Sequence, residues 1–340
     1  MNECHNYAQN QLRSDDVRLS NRLSNRSEEP PQQSAQFPAV LENKGADSIP
    51  VSGIAVPSAG AGAVNSKTTR LSRLQLEQIE AKLSARDHAV LQAIRKYRFL
   101  TSEQIGRLYV PTGVSQSSKT RVQNLMLKRL NSLGLIRPLE RRIGGSGGGS
   151  SIPVWHLTEA GMRLLTLNDP GEHPRKRFKE PSPTFLYHTL AIAECAVQLT
   201  CICRGSEDLT LDMVDTEPSC WRRYKDNGRV CYLKPDLFAV TGYDGYEDHW
   251  FVEMDLGTEP SAQIVEKCSA YLRYYYTGIE QRANEVFPIV VWIVKDAARK
   301  EKLKEYIREN LKAQPKLFLV ITPDELEKLL RQYIGTEALC

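Results

Sequence analysis

The chain has 340 residues, with 45 lysines and arginines against 41 aspartates and glutamates, a net charge of +4 and 41% hydrophobic residues. That length suffices for two ordinary domains, and the near balance of charge means that any strongly basic surface must be local. No run approaches the ~18 apolar residues of a membrane span, and the polar N-terminus lacks a signal-peptide core, so a cytoplasmic protein without membrane attachment is expected.

Residues 1–68 are rich in Ser, Asn, Gln, Pro, Gly and Ala and show no sustained apolar period. Such a segment cannot bury enough surface to offset its ordering entropy, and it reads as a disordered arm, made partly cationic by Arg13, Arg18, Arg22 and Arg26. From about residue 70 to 168 the pattern changes. Leu71 to Leu83 suggests an entering helix, and Ser84 caps a stronger one, Ala85 to Tyr97, with Val90, Leu91 and Ile94 in a stripe. Thr101-Ser-Glu-Gln has the form of a capping box before a short helix that Pro111 stops. A third helix opens at Ser117 or Ser118, with Val122, Leu125, Met126, Leu130 and Leu133 inward and Lys119, Arg121, Lys128 and Arg129 outward. Leu135 to Ile143 and Ser151 to Leu157 then read as two strands joined by a Gly-rich tip, and Thr158 starts a closing helix. Three helices and a hairpin form the order of a winged helix-turn-helix, which places its third helix in the major groove. Thirteen cations face four acids between Ser84 and Leu167, a net of about +9, the electrostatic footprint of a double-stranded DNA partner. The candidate contacts are Lys119, Arg121, Lys128, Arg129, Arg137, Arg141 and Arg142; docking to a protein is the other use of such a fold.

Residues 169–184, with Arg175-Lys-Arg-Phe-Lys, read as a Pro-rich basic linker. The rest, 185–334, alternates helix and strand. Phe185 to Cys203 is an amphipathic helix interrupted by His188 and Glu194. Leu209 to Thr216 is a strand, and Glu217 to Tyr224 a loop in which Arg222 and Arg223 beside Trp221 and Tyr224 could meet a nucleic-acid backbone. Leu233 to Val240 and Trp250 to Leu256 form a hairpin across Gly-Tyr-Asp-Gly. A helix with Gln263, Lys267 and Tyr271 on one stripe follows. Val286 to Val294 is a strand buried on both faces, and a helix, a short strand at Leu317 to Ile321 and a helix capped at Thr322 complete the chain.

Asp236, Glu253 and Asp255 converge if this hairpin pairs as its turn suggests. Clustered carboxylates repel unless a cation sits among them, and oxygen ligands suit Mg2+ or Mn2+; Glu194 is a further candidate ligand. The plain alternative is a set of solvated acids discouraging edge pairing. Eight cysteines include no C-x-x-C pair, which argues against a zinc ribbon and for reduced thiols. The chain has no P-loop, no dinucleotide fingerprint and no Gly-x-Ser-x-Gly elbow.

Pro235-Asp236 with Glu253-Met254-Asp255, each after an apolar run, resembles the core of the PD-(D/E)xK nuclease-like superfamily. His188-Thr-Leu, Leu233-Lys-Pro-Asp236 and Glu253-Met-Asp-Leu-Gly-Thr-Glu259 resemble the replication-relaxation family of plasmids and other bacterial mobile elements, over about residues 84–300. The resemblance implies an α+β, α/β two-domain chain: a winged helix, then an α-β-β-β-α-β nuclease-like core. It also implies a role in replication, relaxation or mobilisation of DNA, with other plasmid replication or mobilisation proteins as partners. Asp236, Glu253, Asp255, Lys267, Gln263 and Tyr271 are then the catalytic candidates. The chain departs from the superfamily in having Asp255 where a lysine would activate water, and Lys267 is the residue that could replace it. The alternative is a non-catalytic regulator of transcription or replication whose degenerate nuclease-like domain serves dimerisation, for instance as a homodimer, or partner contact.

Overall fold

The computed structural model describes residues 70–113, 115–140, 152–167, 178–257, 259–311 and 315–334. The arm, the Gly-rich hairpin tip with Arg141 and Arg142, and most of the 169–184 linker lie outside the described residues. The fold is mixed α and β, and its described residues divide into two compact units, one within 70–95 and 109–180, the other within 96–108 and 181–334.

In chain order, α1 is Arg73–Glu80, capped by Ser72, and α2 is Ala85–Tyr97. The Ser84 Oγ accepts from the Asp87 amide at 3.2 Å while Asp87 accepts from the Ser84 amide at 2.8 Å, so two end groups of α2 are satisfied reciprocally. Strand β1 is Leu100–Thr101 and α3 is Ser102–Tyr109, where Thr101 and Gln104 form the expected capping box at 3.1 and 2.9 Å. Helix α4 is Gln116–Ser132, capped by Ser115. Its inward face carries Met126, Leu127 and Leu130, whereas Leu125, expected inside, is 58% exposed. The helical spacing that buries Leu127 and Leu130 turns position 125 outward. Strands β2 (Ile136–Pro138) and β3 (Val154–Leu157) are antiparallel, with Arg137 opposite His156. Helix α5, Glu159–Leu165, is capped by Thr158 and lies so near the backbone just before β2 that a Cβ on Gly161 would stand 2.1 Å from the Leu135 carbonyl oxygen. Only glycine fits there.

The second unit, which also holds β1 and α3, continues with α6, Pro183–Arg204, β4 (Leu209–Thr216), β5 (Arg222–Asp226), β6 (Arg229–Leu233), β7 (Leu237–Tyr243), β8 (Tyr246–Asp255), α7 (Ser261–Tyr276), α8 (Ile279–Asn284), β9 (Ile289–Val294), α9 (Ala297–Asn310), β10 (Phe318–Ile321) and α10 (Leu326–Ile334). Five strands make one sheet in the order β10, β9, β8, β7, β4; β4, β7 and β8 pair antiparallel and β8, β9 and β10 parallel. The β7–β8 turn is Asp244-Gly245, both at positive φ, the chemistry a tight primed hairpin turn requires. Two expectations change. The predicted strand Leu233 to Val240 is two elements, because Leu233 ends β6 and pairs with Arg222 whereas Leu237 begins β7. The predicted loop from Glu217 to Tyr224 contains the start of β5, and β5 and β6 form a separate two-stranded ribbon.

Helix α6 corrects the expectation about membrane spans. An 18-residue stretch of it has mean hydropathy 1.4, enough by length and composition to cross a membrane, because a window average tolerates His188 and Glu194 where an uninterrupted run does not. Of that stretch 56% is buried within the fold, and α6 packs on β4 and β8. A second core joins α7 and α9 to the sheet through Phe238, Phe251, Tyr271, Tyr274, Trp292, Leu303 and Ile307. The described cysteines are all free thiols.

Candidate functional site

Strand β8 is the middle of the sheet, paired on both sides, so its last residues are buried whatever their polarity. Side chains two apart share a face. Phe251 therefore packs against Tyr271 of α7, and Glu253 beyond it meets the polar groups of the same helix. Tyr271 Oη donates to Glu253 Oε1 at 2.6 Å, and Lys267 Nζ lies 3.2 Å from Oε2. Lys267 also reaches Glu259 Oε1 at 3.1 Å and stands 5.7 Å from the Trp292 ring. The other oxygen of Glu259 is buried with no hydrogen-bond partner.

Asp236 is the residue before β7. Pairing of Leu237 with Val252 brings it alongside the end of β8, where its amide donates to the Val252 carbonyl at 3.1 Å and its Oδ2 accepts from the Met254 amide at 2.8 Å. His188 Nε2, from α6, lies 3.2 Å from Oδ1. Pro235 enforces the extended entry and has no amide to satisfy, which suits a residue buried between two elements.

The charges act on one another. Burial, reinforced by the charge of Asp236, pushes the Glu253 carboxyl up to about 8 despite Lys267 and Tyr271. Burial works against the Lys267 ammonium, yet Glu253, Asp236 and Glu259 together hold it above the usual lysine range. The hydrogen bond that Asp236 accepts raises His188 above the ordinary histidine value, with burial opposing. Burial and Glu253 raise the Tyr271 phenol, which therefore stays a donor.

Not every candidate joins this cluster. Asp255 is fully buried but accepts from Arg299 Nε at 2.6 Å and from the Gly257 amide at 2.8 Å, so its charge is already matched from α9. Glu194, proposed as a ligand, pairs with Arg107 and accepts from Gln104 Nε2 at 3.0 Å on α3. Gln263 is exposed in the first turn of α7. The expected convergence of three or four acids is corrected accordingly: among the described residues no group of three or more His, Cys, Asp or Glu could hold a metal ion. Two carboxylates remain side by side. Mg2+ commonly takes only one or two protein carboxylates and completes its shell with water and substrate phosphate. Each oxygen of Asp236 and Glu253 keeps a lone pair beyond the one engaged, so the residues fit such an ion in donor type.

In the other unit, Arg121 and Lys128 are exposed, and with Gln116, Ser117, Thr120, Asn124 and Leu125 they line one open concave stripe of α4. Lys119 is half-buried and Arg137 is exposed on β2. Arg129 is diverted: its guanidinium pairs with the buried Asp87 carboxylate that caps α2, so its charge is spent inside the unit.

Reading the sequence missed Glu259 and Arg299. Glu259 was in view within the Glu-Met-Asp-Leu-Gly-Thr-Glu segment but had no periodic relation to the strand, and Arg299 is 44 residues from its partner in sequence. Residues 91–290 match the replication-relaxation family, and the chain belongs to that family. No curated protein and no solved structure matches it.

Proposed function

We propose that this chain is a DNA-binding protein of plasmid or mobile-element replication and relaxation, acting in the cytoplasm, whose second unit is a nuclease-like domain that cleaves a phosphodiester bond. The observation that carries the catalytic part is Lys267 Nζ, 3.2 Å from Glu253 Oε2. The superfamily motif places a lysine two residues after the acid on the strand; here α7 brings an ammonium to the acid itself. Asp236 and Glu253 would hold Mg2+ or Mn2+. Such an ion, when bound, polarises a phosphoryl oxygen and lowers the pKa of water.

The chain's own groups have separable tasks. Lys267 offers positive charge to the developing anion, and Tyr271 fixes the Glu253 carboxylate so that one oxygen stays turned to its neighbours. His188 orients Asp236. The stripe of α4 with Arg121 and Lys128 is the duplex-binding surface, in a winged-helix reading of α2 to β3, and each phosphate it neutralises contributes roughly 0.9 to the salt dependence.

Supercoiled plasmid is the test substrate. The wild type is expected to nick it only with Mg2+ or Mn2+, Asp236→Ala to abolish nicking and Lys267→Met to lower it steeply, while duplex binding survives. Equal nicking by wild type and Asp236→Ala would remove the site. A second reading, a non-catalytic regulator, is favoured by Asp255: the position that would bear the motif lysine is filled by a closed ion pair with Arg299. Calorimetric titration with Mn2+ separates the two, since a centre kept for chemistry binds an ion that Asp236→Ala does not.

A further inference from the structure

The β5–β6 ribbon presents two unlike faces. Opposed residues of an antiparallel pair share a face, so the register places Tyr224 opposite Cys231 on one side and Arg223 opposite Tyr232, with Lys225 opposite Val230, on the other. The first face is spent on the fold: Tyr224 and Leu233 are buried and Tyr224 packs against Tyr274 at 4.9 Å. Arg222, on that face, donates to the buried Glu280 at 2.7 Å and stacks 4.4 Å from the Phe238 ring. Of the four residues Trp221, Arg222, Arg223 and Tyr224 expected to meet a nucleic-acid backbone, Arg222 and Tyr224 are engaged within the fold instead.

The second face is different in kind. Arg223, Lys225 and Lys234 are exposed, Tyr232 is 52% exposed, and Val230 lies between. At its end the Lys234 ammonium sits 4.7 Å over the half-buried Trp221 ring. Cations and an open aromatic ring lie along one face of this strand pair, and that face bears no acid among the described residues. A solvated charged face would mix signs, and a protein-docking face would not leave a tyrosine among unpaired cations of one sign. Lys234 is joined to the candidate site by one residue, Pro235, before Asp236.

We propose that this ribbon face binds single-stranded DNA, with Arg223, Lys225 and Lys234 on successive phosphates and Tyr232 as a stacking platform for a base. The proposal rests on the DNA-binding reading above for its choice of polymer. It deepens that reading by giving the second unit its own strand-holding surface, distinct from the duplex surface of α4. Stacking on aromatic rings tolerates any base, so binding should be indifferent to sequence.

The test is fluorescence anisotropy of the full chain with a labelled oligo(dT) 20-mer, a duplex of equal length and oligo(rU), over a range of salt. Wild type should bind oligo(dT). Tyr232→Ala should weaken it by about tenfold. Arg223→Ala/Lys225→Ala/Lys234→Ala should lower the log-log salt slope by roughly 2, since each phosphate of a single strand contributes about 0.7. Both variants alter exposed side chains, so their thermal midpoints should match the wild type, and duplex affinity should hold. Wild-type-like binding of oligo(dT) by both variants overturns the proposal, as does no binding by the wild type or a clear preference for oligo(rU). Nicking reports on the other reading independently: ribbon variants that lose oligo(dT) support this surface even if Asp236→Ala nicks normally.

Discussion

Glu253 and Asp255 stand two residues apart on one face of one strand, and both are at most 1% exposed. Their fates differ because different helices cover them. Asp255 meets the Arg299 guanidinium and the Gly257 amide, a closed set in which a carboxylate is fully matched. Glu253 meets Lys267, which it shares with Glu259, and a neighbouring Asp236 that opposes its ionisation. Equal spacing and equal burial thus yield a latch at one position and a chemically poised group at the other. What separates them is whether the partner's charge is undivided.

The largest expected effect breaks the latch. Arg299→Met leaves the Asp255 carboxyl in the core without its cation, which should cost about 3–5 kcal/mol, and Asp255→Asn added to it should restore most of that loss. Urea unfolding measures both. The matching change on the other side should behave differently. Lys267→Met leaves a Glu253 that takes up a proton readily, so its stability cost should be about 1 kcal/mol while nicking falls by about 100-fold. If Lys267→Met unfolds as easily as Arg299→Met, the two positions are alike and the contrast fails.

A third prediction concerns pH. The Glu253 carboxyl is raised from 4.5 to about 8, so in the folded state it favours the proton. A group shifted in this direction contributes stability that is complete below its unfolded value and is lost as pH rises through the folded one. Glu253→Gln mimics the protonated form. Its thermal midpoint relative to wild type should therefore rise between about pH 4.5 and about pH 8 and level off above; a constant difference would show that the Glu253 carboxyl does not titrate in this range. The smallest effect lies at the far edge of the fold. Glu325 is lowered to about 2 by its hydrogen bonds with Lys300 and the Thr322 amide. Its contribution is present above 4.5 and lost as pH falls toward 2, and Glu325→Gln should cost only about 0.5 kcal/mol near neutrality because the glutamate is partly open to solvent and screened by it. Acid unfolding of the two proteins should converge at low pH.

Local devices were legible along the chain because a few adjacent residues decide them. The capping boxes at Thr101 and Thr322, the Asp244-Gly245 turn and the doubly buried strand at Ile289–Val294 all follow from short-range chemistry. The pairing of Asp236 with the strand of Glu253, and Lys267 as the ammonium beside it, were legible too, since a hairpin register and a four-residue helical step link them. Where one helix face was misjudged, at Leu125, hydrophobicity pointed inward and geometry outward.

Type, order and local ends of the elements, the two acids and their candidate lysine are properties of the amino-acid string, because each depends on neighbours within a turn or a hairpin. Only the folded chain decided which charges were already taken. Arg299 captured Asp255, Arg107 captured Glu194, Asp87 captured Arg129 and Glu280 captured Arg222, all across sequence separations that no periodicity spans. An ion pair forms wherever packing delivers opposite charges to one buried place, and packing is a property of the whole core.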